Sequence, residues 1–408
     1  MLEQAIAVIL AGGVGSRLAP LTQDRAKPAV PFGGKYRIID FTLANCLHSG
    51  LRRILVLTQY KSHSLHKHIR DGWSIFNPEL GEYITPVPPQ MRDGNSWYRG
   101  TADAIYQNIY LLRRSEAKYV VILSGDHIYR MDYAPMLAQH IERQAQLTIA
   151  CMPIPAEQSE RFGIISINQQ RQIIDFKEKP SAPAPLPDQP DQVLASMGIY
   201  IFSIESLISI LEAHAQTVGQ EDDFDFSHHI IPKLIPEGNV YAYLFGGQEG
   251  RVSRDCYWRD VGTIDSFYQA NMDLLQPIPP INLYQHDWAI RSYQKQVAPA
   301  KMVSGISGTE GIVINSIAGG GVVVSGGCVQ NSILFQNVQV LDEATIEKSI
   351  IFDDVIVGEG CHLRNCIIDK HVTLPPGTEI GINLYQDKQR FTVSDNGIVV
   401  IPRGYRFE

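Results

Sequence analysis

The sequence predicts two folds in succession, an α/β domain with a mostly parallel sheet and then a parallel β-helix. Over about 270 of the 408 residues, short apolar runs alternate with helical patterns, which is typical of a helix-covered sheet. A proline-rich stretch at residues 276–281 ends this alternation, and a short repeat replaces helical periodicity after residue 310. We therefore expect an α/β domain over residues 1–275, a linker over 276–300 and a β-helix over 301–408.

The first predicted element is a strand over residues 5–10, followed by a glycine-rich turn. The run is short, apolar and rich in branched side chains, as expected for a parallel strand covered on both faces. Gly12, Gly13 and Gly15 carry no side chain that would keep phosphate oxygens away from backbone N–H groups. The turn therefore predicts an anion-binding concavity, and its length suits a triphosphate.

Two cations follow this turn, Arg17 and Lys27, and both could supply charge to a bound triphosphate. A purely structural alternative exists, since many α/β proteins need glycine there only to pack a helix against a strand. The turn is not followed by the Gly-Lys-Ser/Thr of P-loops, and its spacing does not satisfy the dinucleotide-binding fingerprint. The turn by itself therefore indicates a phosphate site without deciding which one.

Further strands are predicted at residues 54–58, 119–123, 147–151 and 198–202. A helix over residues 38–47 should end at Gly50 in a left-handed cap. Another helix should begin at Thr101, whose hydroxyl is expected to cap the free N–H groups of the first turn. In such an architecture, ligands bind beyond the carboxyl ends of the strands.

The C-terminal repeat recurs at intervals of 16, 17 and 17 residues, at Asn315-Ser-Ile, Asn331-Ser-Ile, Lys348-Ser-Ile and Asn365-Cys-Ile. Stacked coils of a β-helix need inward aliphatic residues every few positions, and candidates are Val355, Val357, Cys361 and Ile367. A β-sandwich would also produce short strands. Self-similarity over four coils favours the β-helix.

Composition and charge exclude several classes of protein. The formal net charge of -8 argues against a nucleic-acid binder with a broad basic face, so an anionic substrate must be bound by a local cluster of cations. No run of about 20 apolar residues could span a bilayer, and the N-terminus has no pattern of a secretory signal. We expect a cytoplasmic protein that binds neither nucleic acid nor membrane.

Cysteines and histidines give no metal-binding pattern. The cysteines have no Cys-x-x-Cys spacing and are expected to be reduced and mostly buried. His63, His66 and His68 lack the spacing of a standard zinc motif, so a solvated helix face is expected there.

The sequence resembles the bacterial glucose-1-phosphate adenylyltransferases, or ADP-glucose pyrophosphorylases, over essentially its whole length. The resemblance rests on the opening turn and on motifs at residues 32–41, 97–104, 124–129, 176–180, 195–200 and 257–263. The segment Trp97-Tyr-Arg-Gly-Thr-Ala-Asp is peculiar to this family. The resemblance implies a Rossmann-like nucleotidyltransferase domain and a left-handed β-helix.

The implied reaction joins glucose 1-phosphate and ATP into ADP-glucose and pyrophosphate, for the synthesis of glycogen or a similar α-glucan. Its chemistry is positioning and charge neutralisation, with magnesium held by one or two carboxylates. The resemblance places Asp126 and Asp260 on one Mg²⁺ and gives catalytic roles to Arg17, Lys27 and Asp126. Without it, Asp126 could cap a helix and Asp260 could pair with a neighbouring arginine.

The resemblance also identifies the substrate pockets. Lys179 would bind the sugar phosphate and Glu178 the glucose hydroxyls, with Ser196 and Tyr200 beside them. For the nucleotide it indicates Gln59, Tyr98 and Gly125, together with Gly12, Gly13 and Gly15. Without the family, residues 177–179 would be interpreted as a solvated turn, and Trp97 as a packing residue.

Anionic allosteric effectors and a homotetramer are also implied. Arg25, Arg37, Lys370 and Arg403 match positions that are basic in the family and could form an effector site between the domains, although isolated surface cations are an alternative. Val14 and Asp24 stand where relatives commonly have basic residues. The usual sugar-phosphate activator is therefore not assigned. A uridylyl- or thymidylyltransferase and a non-catalytic regulatory subunit remain alternatives, the first disfavoured by Trp97 and Tyr98.

Overall fold

The computed structural model describes residues 1–90, 97–186, 189–217, 219, 222–246, 252 and 256–407. The strands of its first part are Ala5–Ala11 (β1), Pro31–Phe32 (β2), Tyr36–Arg37 (β3), Arg53–Thr58 (β4), Tyr83–Val87 (β5), Tyr119–Ser124 (β6), His127–Tyr129 (β7), Leu147–Pro155 (β8), Gly163–Ile167 (β9), Ile173–Glu178 (β10), Gln192–Ser203 (β11), Val240–Leu244 (β12) and Trp258–Asp260 (β13). The helices of this part are Ile38–Ser49 (α1), His63–Trp73 (α2), Thr101–Tyr106 (α3), Ile109–Arg114 (α4), Tyr133–Glu142 (α5), Ile204–Ala215 (α6), Ile231–Leu234 (α7) and Ile264–Met272 (α8).

The main sheet is mixed and mostly parallel, as predicted. Its order is β10-β9-β11-β6-β1-β4-β5, with β8 and then β12 branching from β11. Strands β6, β1, β4 and β5 run parallel to one another, whereas β11 runs antiparallel to β6. Every strand predicted in this part lies within an observed one.

Strand β1 is covered on both faces, as its sequence predicts. Ala5, Ala7 and Ile9 belong to one hydrophobic core, and Ile6 and Val8 belong to the other. Successive side chains of a strand point to opposite faces. A strand that is apolar at every position is therefore buried on both faces. The sheet therefore lies between two layers, and its carboxyl edge is the open side.

The N-terminus of α3 differs from the prediction at Thr101. The residue before it, Gly100, is the N-cap, and Thr101 is the first helical residue. The Thr101 hydroxyl donates to Asp225 instead of capping its own turn, at 2.8 Å between oxygen atoms. The free N–H groups of Ala102 and Asp103 donate to the carbonyl of Phe224. A distant segment thus caps this helix, which local sequence does not show.

Helix α1 ends as predicted. Gly50 has a φ of 88°, and its N–H donates to the carbonyls of Cys46 and Leu47. The left-handed conformation is open to glycine at no steric cost, so the helix stops there.

The second part of the chain is a parallel β-helix, not a β-sandwich. Its elements are Lys301–Val303 (β14), Ile312–Ile314 (β15), Ile317–Ala318 (β16), Val323–Ser325 (β17), Cys328–Gln330 (β18), Ile333–Leu334 (β19), Gln339–Val340 (β20), Thr345–Glu347 (β21), Ile350–Ile351 (β22), Ile356–Val357 (β23), His362–Arg364 (β24), Cys366–Ile368 (β25), Thr373–Leu374 (β26), Glu379–Ile380 (β27), Leu384–Arg390 (α9), Thr392–Val393 (β28) and Val399–Ile401 (β29). These strands form three sheets whose rungs stack in parallel, with β28 as an antiparallel addition.

The repeat predicted from sequence marks a corner of each coil. Asn315, Asn331, Lys348 and Asn365 all adopt a φ of 46–47°. Asparagine tolerates this left-handed conformation better than most residues, which explains why it recurs at the corner. Serines that follow these corner residues connect neighbouring coils. The Ser332 N–H donates to Ser316 Oγ in the preceding coil. The four predicted inward residues are fully buried.

The segment predicted as a linker is packed against the α/β domain. Its side chains Ile281, Trp288 and Ile290 are buried. Trp288 Nε1 donates to Asn45 Oδ1 at 3.0 Å. This segment therefore packs on the surface of the first domain, because burial of its apolar side chains there removes them from water.

The expectation of a solvated histidine face holds only for His63. On α2, His63 is exposed and His66 is half-buried against the Thr58 hydroxyl. His68 is buried, with Nε2 2.6 Å from Asp40 Oδ1. The expectation was wrong for His68 because α2 turns that face toward α1.

The six cysteines form no disulfide in the described part of the chain, and four of them are buried, as expected. Within the described ranges, every helix falls short of the length and apolarity that a membrane span requires.

Candidate functional site

The predicted catalytic groups meet at the carboxyl edge of the main sheet. The neighbouring strands β4, β1 and β6 end there, and each is followed by a predicted site segment. The glycine-rich turn follows β1, Gln59 follows β4, and Gly125 and Asp126 follow β6. The parallel order of these strands places the three segments side by side.

Lys27 connects the two predicted metal ligands. Its ammonium donates to Asp126 Oδ2 at 2.7 Å and to Asp260 Oδ1 at 3.0 Å. The side chain rises from a short 3-10 turn, Lys27–Ala29, and is only 8% exposed. Two carboxylates that are 134 positions apart in sequence therefore share one cation.

A small antiparallel ribbon places Asp260 beside Asp126. Strands β13 and β7 pair so that Asp260 lies opposite His127, the residue after Asp126. The Ser124 hydroxyl donates to Asp126 Oδ1, and His127 Nε2 lies 3.6 Å from the same oxygen. These contacts fix the Asp126 carboxylate at the end of β6.

Electrostatics favours the charged forms of Lys27 and Asp126. Burial alone would lower the pKa of Lys27, but the charges of Asp126 and Asp260 outweigh it and raise that pKa. Burial alone would raise the pKa of Asp126, yet Lys27 and His127 hold it well below its usual range. Asp126 is therefore an anion at neutral pH and cannot act as a general acid.

The glycine-rich turn packs tightly on the elements beneath it. Gly15 has a φ of 67°, and a β-carbon there would lie 3.2 Å from Lys27 Cβ. A β-carbon on Gly12 would lie 3.2 Å from Gln59 Cβ. Gly13 is exposed and has nothing within 4 Å of such an atom. The turn is thus glycine-rich for close packing at two positions and open to solvent at the third.

Arg17 lies on the same side as Asp260. Its Nη2 atom is 3.4 Å from where a β-carbon would stand on Gly262, and that point is 3.1 Å from Asp260 Oδ2. The side chain is exposed, so it faces the crevice from the solvent side. Both predicted cations therefore lie near the aspartates.

The predicted sugar pocket adjoins this cluster. Glu178 ends β10, and its Oε1 lies 3.3 Å from Lys179 Nζ. Lys179 has a φ of 48°, and its side chain is 59% exposed. Burial, offset in part by a hydrogen bond to Ser196, raises the pKa of Tyr200 to about 12. Tyr200 is therefore a neutral hydrogen-bonding group at physiological pH.

A chain of contacts joins the sugar pocket to Asp126. The Lys179 N–H donates to the Phe162 carbonyl at 3.0 Å. The Phe162 ring packs edge-on against Trp258 at 5.4 Å, and Trp258 packs against His127 at 4.9 Å between centroids. Lys179 is therefore positioned through three packed side chains that end next to Asp126.

On the nucleotide side, Gln59 is buried and Tyr98 is half-buried. The Tyr98 hydroxyl accepts a hydrogen bond from Asn108 Nδ2 at 3.0 Å, and burial raises its pKa. The Gly125 N–H donates to the Leu10 carbonyl, which ties it to β1. Trp97 stacks on Tyr60 at 5.0 Å with the rings nearly parallel, and this stack brings the segment of Tyr98 next to Gln59.

The four predicted effector residues come together where the β-helix meets the α/β domain. Arg25 bonds to Asp369, and Lys370 pairs with Asp353. Arg37 donates to the Ala29 carbonyl, at the end of the turn that carries Lys27. Arg403 is exposed, and its charge acts on Arg37. The four cations lie near the carboxylates of Asp353 and Asp369, and the carboxylate of Asp40 also acts on Arg37.

The charge balance of this cluster is visible at Lys370. Burial and the neighbouring charge of Arg37 lower the pKa of Lys370 to about 8, despite the opposing effect of Asp353. Burial is the larger cause of this lowered pKa, and the charges of Arg37 and Arg25 add to it.

Comparison with known proteins identifies the family. The model of the nucleotidyl transferases matches residues 6–277, and that of the GlmU-like C-terminal hexapeptide domain matches residues 298–401. A glucose-1-phosphate adenylyltransferase 2 of Vibrio cholerae is 63% identical over 406 residues, covering all of this chain and 99% of its own.

The chain belongs to the glucose-1-phosphate adenylyltransferase family. A Vibrio vulnificus glucose-1-phosphate adenylyltransferase 2 is 64% identical over the full length of both chains. A glucose-1-phosphate adenylyltransferase of Methylococcus capsulatus is 47% identical, covering 98% of this chain and 93% of its own. The resemblance predicted from the motifs is confirmed, and so is the fold class, a Rossmann-like nucleotidyltransferase domain followed by a left-handed β-helix.

Sequence reasoning missed several residues of this family member's site. Trp258 and His127 lie within predicted motifs but received no role. His127 Nε2 lies 3.6 Å from Asp126 Oδ1, and Trp258 packs against His127. Phe226 packs against Tyr200 at 5.8 Å between centroids, on a π-helical turn Phe226–Ile230 that the sequence did not predict. Asp353 and Asp369 were missed because the prediction looked only for cations. The signal for Trp258 was its position two residues before Asp260.

Proposed function

We propose that this chain transfers AMP from ATP to glucose 1-phosphate, giving ADP-glucose and pyrophosphate. The observation that carries the proposal is the Lys27 ammonium bonded to both Asp126 and Asp260 beside the glycine-rich turn. The same name borne by relatives at 47% to 64% identity supports it. An oxygen of the sugar phosphate attacks the α-phosphorus, and the bond to pyrophosphate breaks on the opposite side.

The work of the protein in this reaction is positioning and charge neutralisation. The attacking phosphate is already ionised, so no strong general base is needed. Arg17 and Lys27 would draw the anionic phosphates of ATP to the turn formed by Gly12, Gly13 and Gly15, where they stabilise charge that develops on the leaving pyrophosphate. Gln59, Tyr98 and Gly125 would hold the nucleoside, the amide of Gln59 being able to donate and accept at once.

Asp126 and Asp260 would hold a divalent metal ion. Nucleotidyltransferases of this kind generally use such an ion. Among the described residues, no group of three or more His, Cys, Asp or Glu side chains is arranged for a metal. A pair of carboxylates fits Mg²⁺, which takes one or two protein carboxylates and keeps several waters. Bound there, Mg²⁺ would neutralise phosphate charge in the reaction.

Glucose 1-phosphate would bind near the end of β10 and the middle of β11, two strands that flank β9. Lys179 is exposed enough to reach a phosphate, and its compact charge tolerates the change of phosphate geometry during transfer. Glu178 would accept hydrogen bonds from glucose hydroxyls, and Ser196 and Tyr200 would complete the pocket. The packed contacts from Lys179 to His127 would keep the sugar phosphate in line with the nucleotide.

We further propose that anionic metabolites regulate the enzyme through Arg25, Arg37, Lys370 and Arg403, and that it works as a homotetramer in glycogen or α-glucan synthesis. The positive charges of Arg37 and Arg25 near the buried Lys370 support the effector site. The contact of Arg37 with the turn that carries Lys27 provides a path to the catalytic groups. Native mass spectrometry tests the tetramer.

The decisive experiment supplies glucose 1-phosphate, Mg²⁺ and each nucleoside triphosphate in turn, and measures pyrophosphate release. Pyrophosphate release with ATP, and with no other nucleoside triphosphate, supports the proposal. A preference for UTP or dTTP would replace it with the corresponding transferase, and no release with any triphosphate would indicate a regulatory subunit. The Asp126→Asn variant is the control for contaminating activity.

A further inference from the structure

The Lys27 side chain has a position that its proposed contact with phosphate does not explain. Its ammonium lies against one oxygen of Asp126 and one of Asp260, at 2.7 and 3.0 Å. Hydrogen bonds between an ammonium and a carboxylate are among the strong ones in proteins. One oxygen of each proposed metal ligand is thus already bonded to a cation of the protein itself.

We propose that Lys27 is a resident counter-cation of the metal site, which holds Asp126 and Asp260 together and competes with a divalent cation for their oxygens. The inference rests on the proposed metal role of the two aspartates. Two carboxylates brought together without a cation would repel each other, and the shared ammonium removes that repulsion. The same contact must be given up when a divalent cation coordinates these oxygens.

The structure also indicates where the ammonium can go. Lys27 Cβ lies 3.2 Å from the β-carbon position of Gly15, so the base of its side chain is directly beneath the glycine-rich turn. Rotation about the side-chain bonds would move Nζ from the carboxylates to the turn, where polyphosphate is proposed to bind. A polyphosphate that attracts Lys27 would therefore release the aspartates for the metal. Metal and nucleotide would then bind with positive coupling.

The test measures Mn²⁺ binding to the full-length protein in the absence of nucleotide and sugar phosphate, by the electron paramagnetic resonance signal of free Mn²⁺. We expect Lys27→Met to bind Mn²⁺ at least about tenfold more tightly than the wild type, because the competing charge is gone. Lys27→Arg keeps a cation and should stay within about threefold of the wild type.

Lys61→Met is the matched control. Lys61 lies next to the same segment, since its carbonyl accepts from the Ala26 N–H, but its ammonium bonds to the Thr22 carbonyl and not to a carboxylate. Its removal changes the net charge by the same amount and should leave the Mn²⁺ affinity unchanged. An equal gain in Lys61→Met would show a general charge effect and overturn the proposal.

Unchanged or weaker Mn²⁺ binding in Lys27→Met would also overturn it, since Lys27 would then organise the metal site without competing for it. If Lys27→Met is too unstable to measure, Lys27→Gln should show the same gain, because it too lacks the charge. Adding Asp126→Asn must abolish the gain; tight binding that survives this change lies elsewhere and contradicts both the inference and the metal role. If the Mn²⁺ affinities of the variants are as expected but the protein transfers no adenylyl group, the proposed reaction is contradicted and the inference about Lys27 is not.

Discussion

The Asp369 carboxylate of the β-helix accepts hydrogen bonds from Arg25 Nη2 of the α/β domain, at 2.8 Å to one oxygen and 2.9 Å to the other. Arg25 is 3% exposed and Asp369 is 1% exposed. Arg25 is also two positions before Lys27, so this pair connects the β-helix to the segment that carries a proposed catalytic cation.

Removing one partner of this pair should destabilise the protein more than removing both. Asp369→Ala leaves a buried guanidinium without a counter-charge, which typically costs about 3–5 kcal/mol. We expect a clear drop in the thermal midpoint, measured by calorimetry. The double variant Arg25→Met with Asp369→Ala should recover much of the loss. A double variant as unstable as the sum of both single variants would show that the two residues do not interact.

Asp126→Asn should lower kcat at least about a hundredfold while the protein stays folded, because a charge that would hold the metal is removed. Pyrophosphate release gives kcat, and the thermal midpoint reports folding. Asp175→Asn is the control, since that carboxylate is half exposed on β10. Near-normal turnover of Asp126→Asn would contradict the metal role.

Lys179→Ala should raise KM for glucose 1-phosphate about tenfold or more and change KM for ATP little, because the lysine would bind only the sugar phosphate. Lys177→Ala is a matched control two residues earlier on β10, and its ammonium is exposed next to Asp175. Steady-state kinetics with each substrate varied in turn separates the two effects. If the KM for glucose 1-phosphate is the same in Lys179→Ala as in Lys177→Ala, Lys179 is a surface residue that does not bind the sugar phosphate.

Anion binding at the interdomain cluster should weaken as pH rises from 7 to 9. Lys370 has a pKa lowered to about 8, so it is mostly charged at pH 7 and mostly neutral at pH 9. A bound anion favours the charged form, and affinity is therefore lost through this range. Isothermal titration with inorganic phosphate at several pH values measures it. Inorganic phosphate changes its own charge near pH 7, so sulfate serves as the second probe.

The control for this pH dependence is Lys370→Met. With the lysine absent, sulfate affinity should be lower at pH 7 and nearly constant up to pH 9. A wild-type sulfate affinity that does not change over this range would place the anion away from Lys370.

Lys348→Asn should stabilise the β-helix by about 0.5–1 kcal/mol. Lys348 has a φ of 47° at a corner where the equivalent coils have asparagine, and a lysine pays more for this conformation. Its carbonyl accepts from the Tyr268 hydroxyl, a contact that the substitution keeps. The thermal midpoint should rise slightly. Lys388→Asn, on the exposed helix α9, is the comparison and should give no gain.

Local sequence patterns were sufficient for much of the fold. The buried strand β1 could be predicted because burial on both faces requires an unbroken apolar run, and the end of α1 because glycine permits the left-handed cap at Gly50. The β-helix could be predicted because stacked coils repeat the same corner. These features depend on residues that are close together in sequence.

The failures share one cause, a partner that is distant in sequence. Thr101 was expected to cap its own helix, but the Asp225 carboxylate binds its hydroxyl across 124 residues. His68 was expected in solvent and is bonded to Asp40 on another helix. No local pattern records which surface an element will meet.

The sequence alone therefore determined the two folds, the family and the candidate residues, since each follows from periodicity, turn chemistry or motif. Only the tertiary structure decided which candidates meet: Lys27 with Asp126 and Asp260, and Arg25 with Asp369. The reason is physical. Electrostatic and hydrogen-bonding interactions act over a few ångströms in space, and the distance in space between residues far apart in sequence is set by how strands and helices pack.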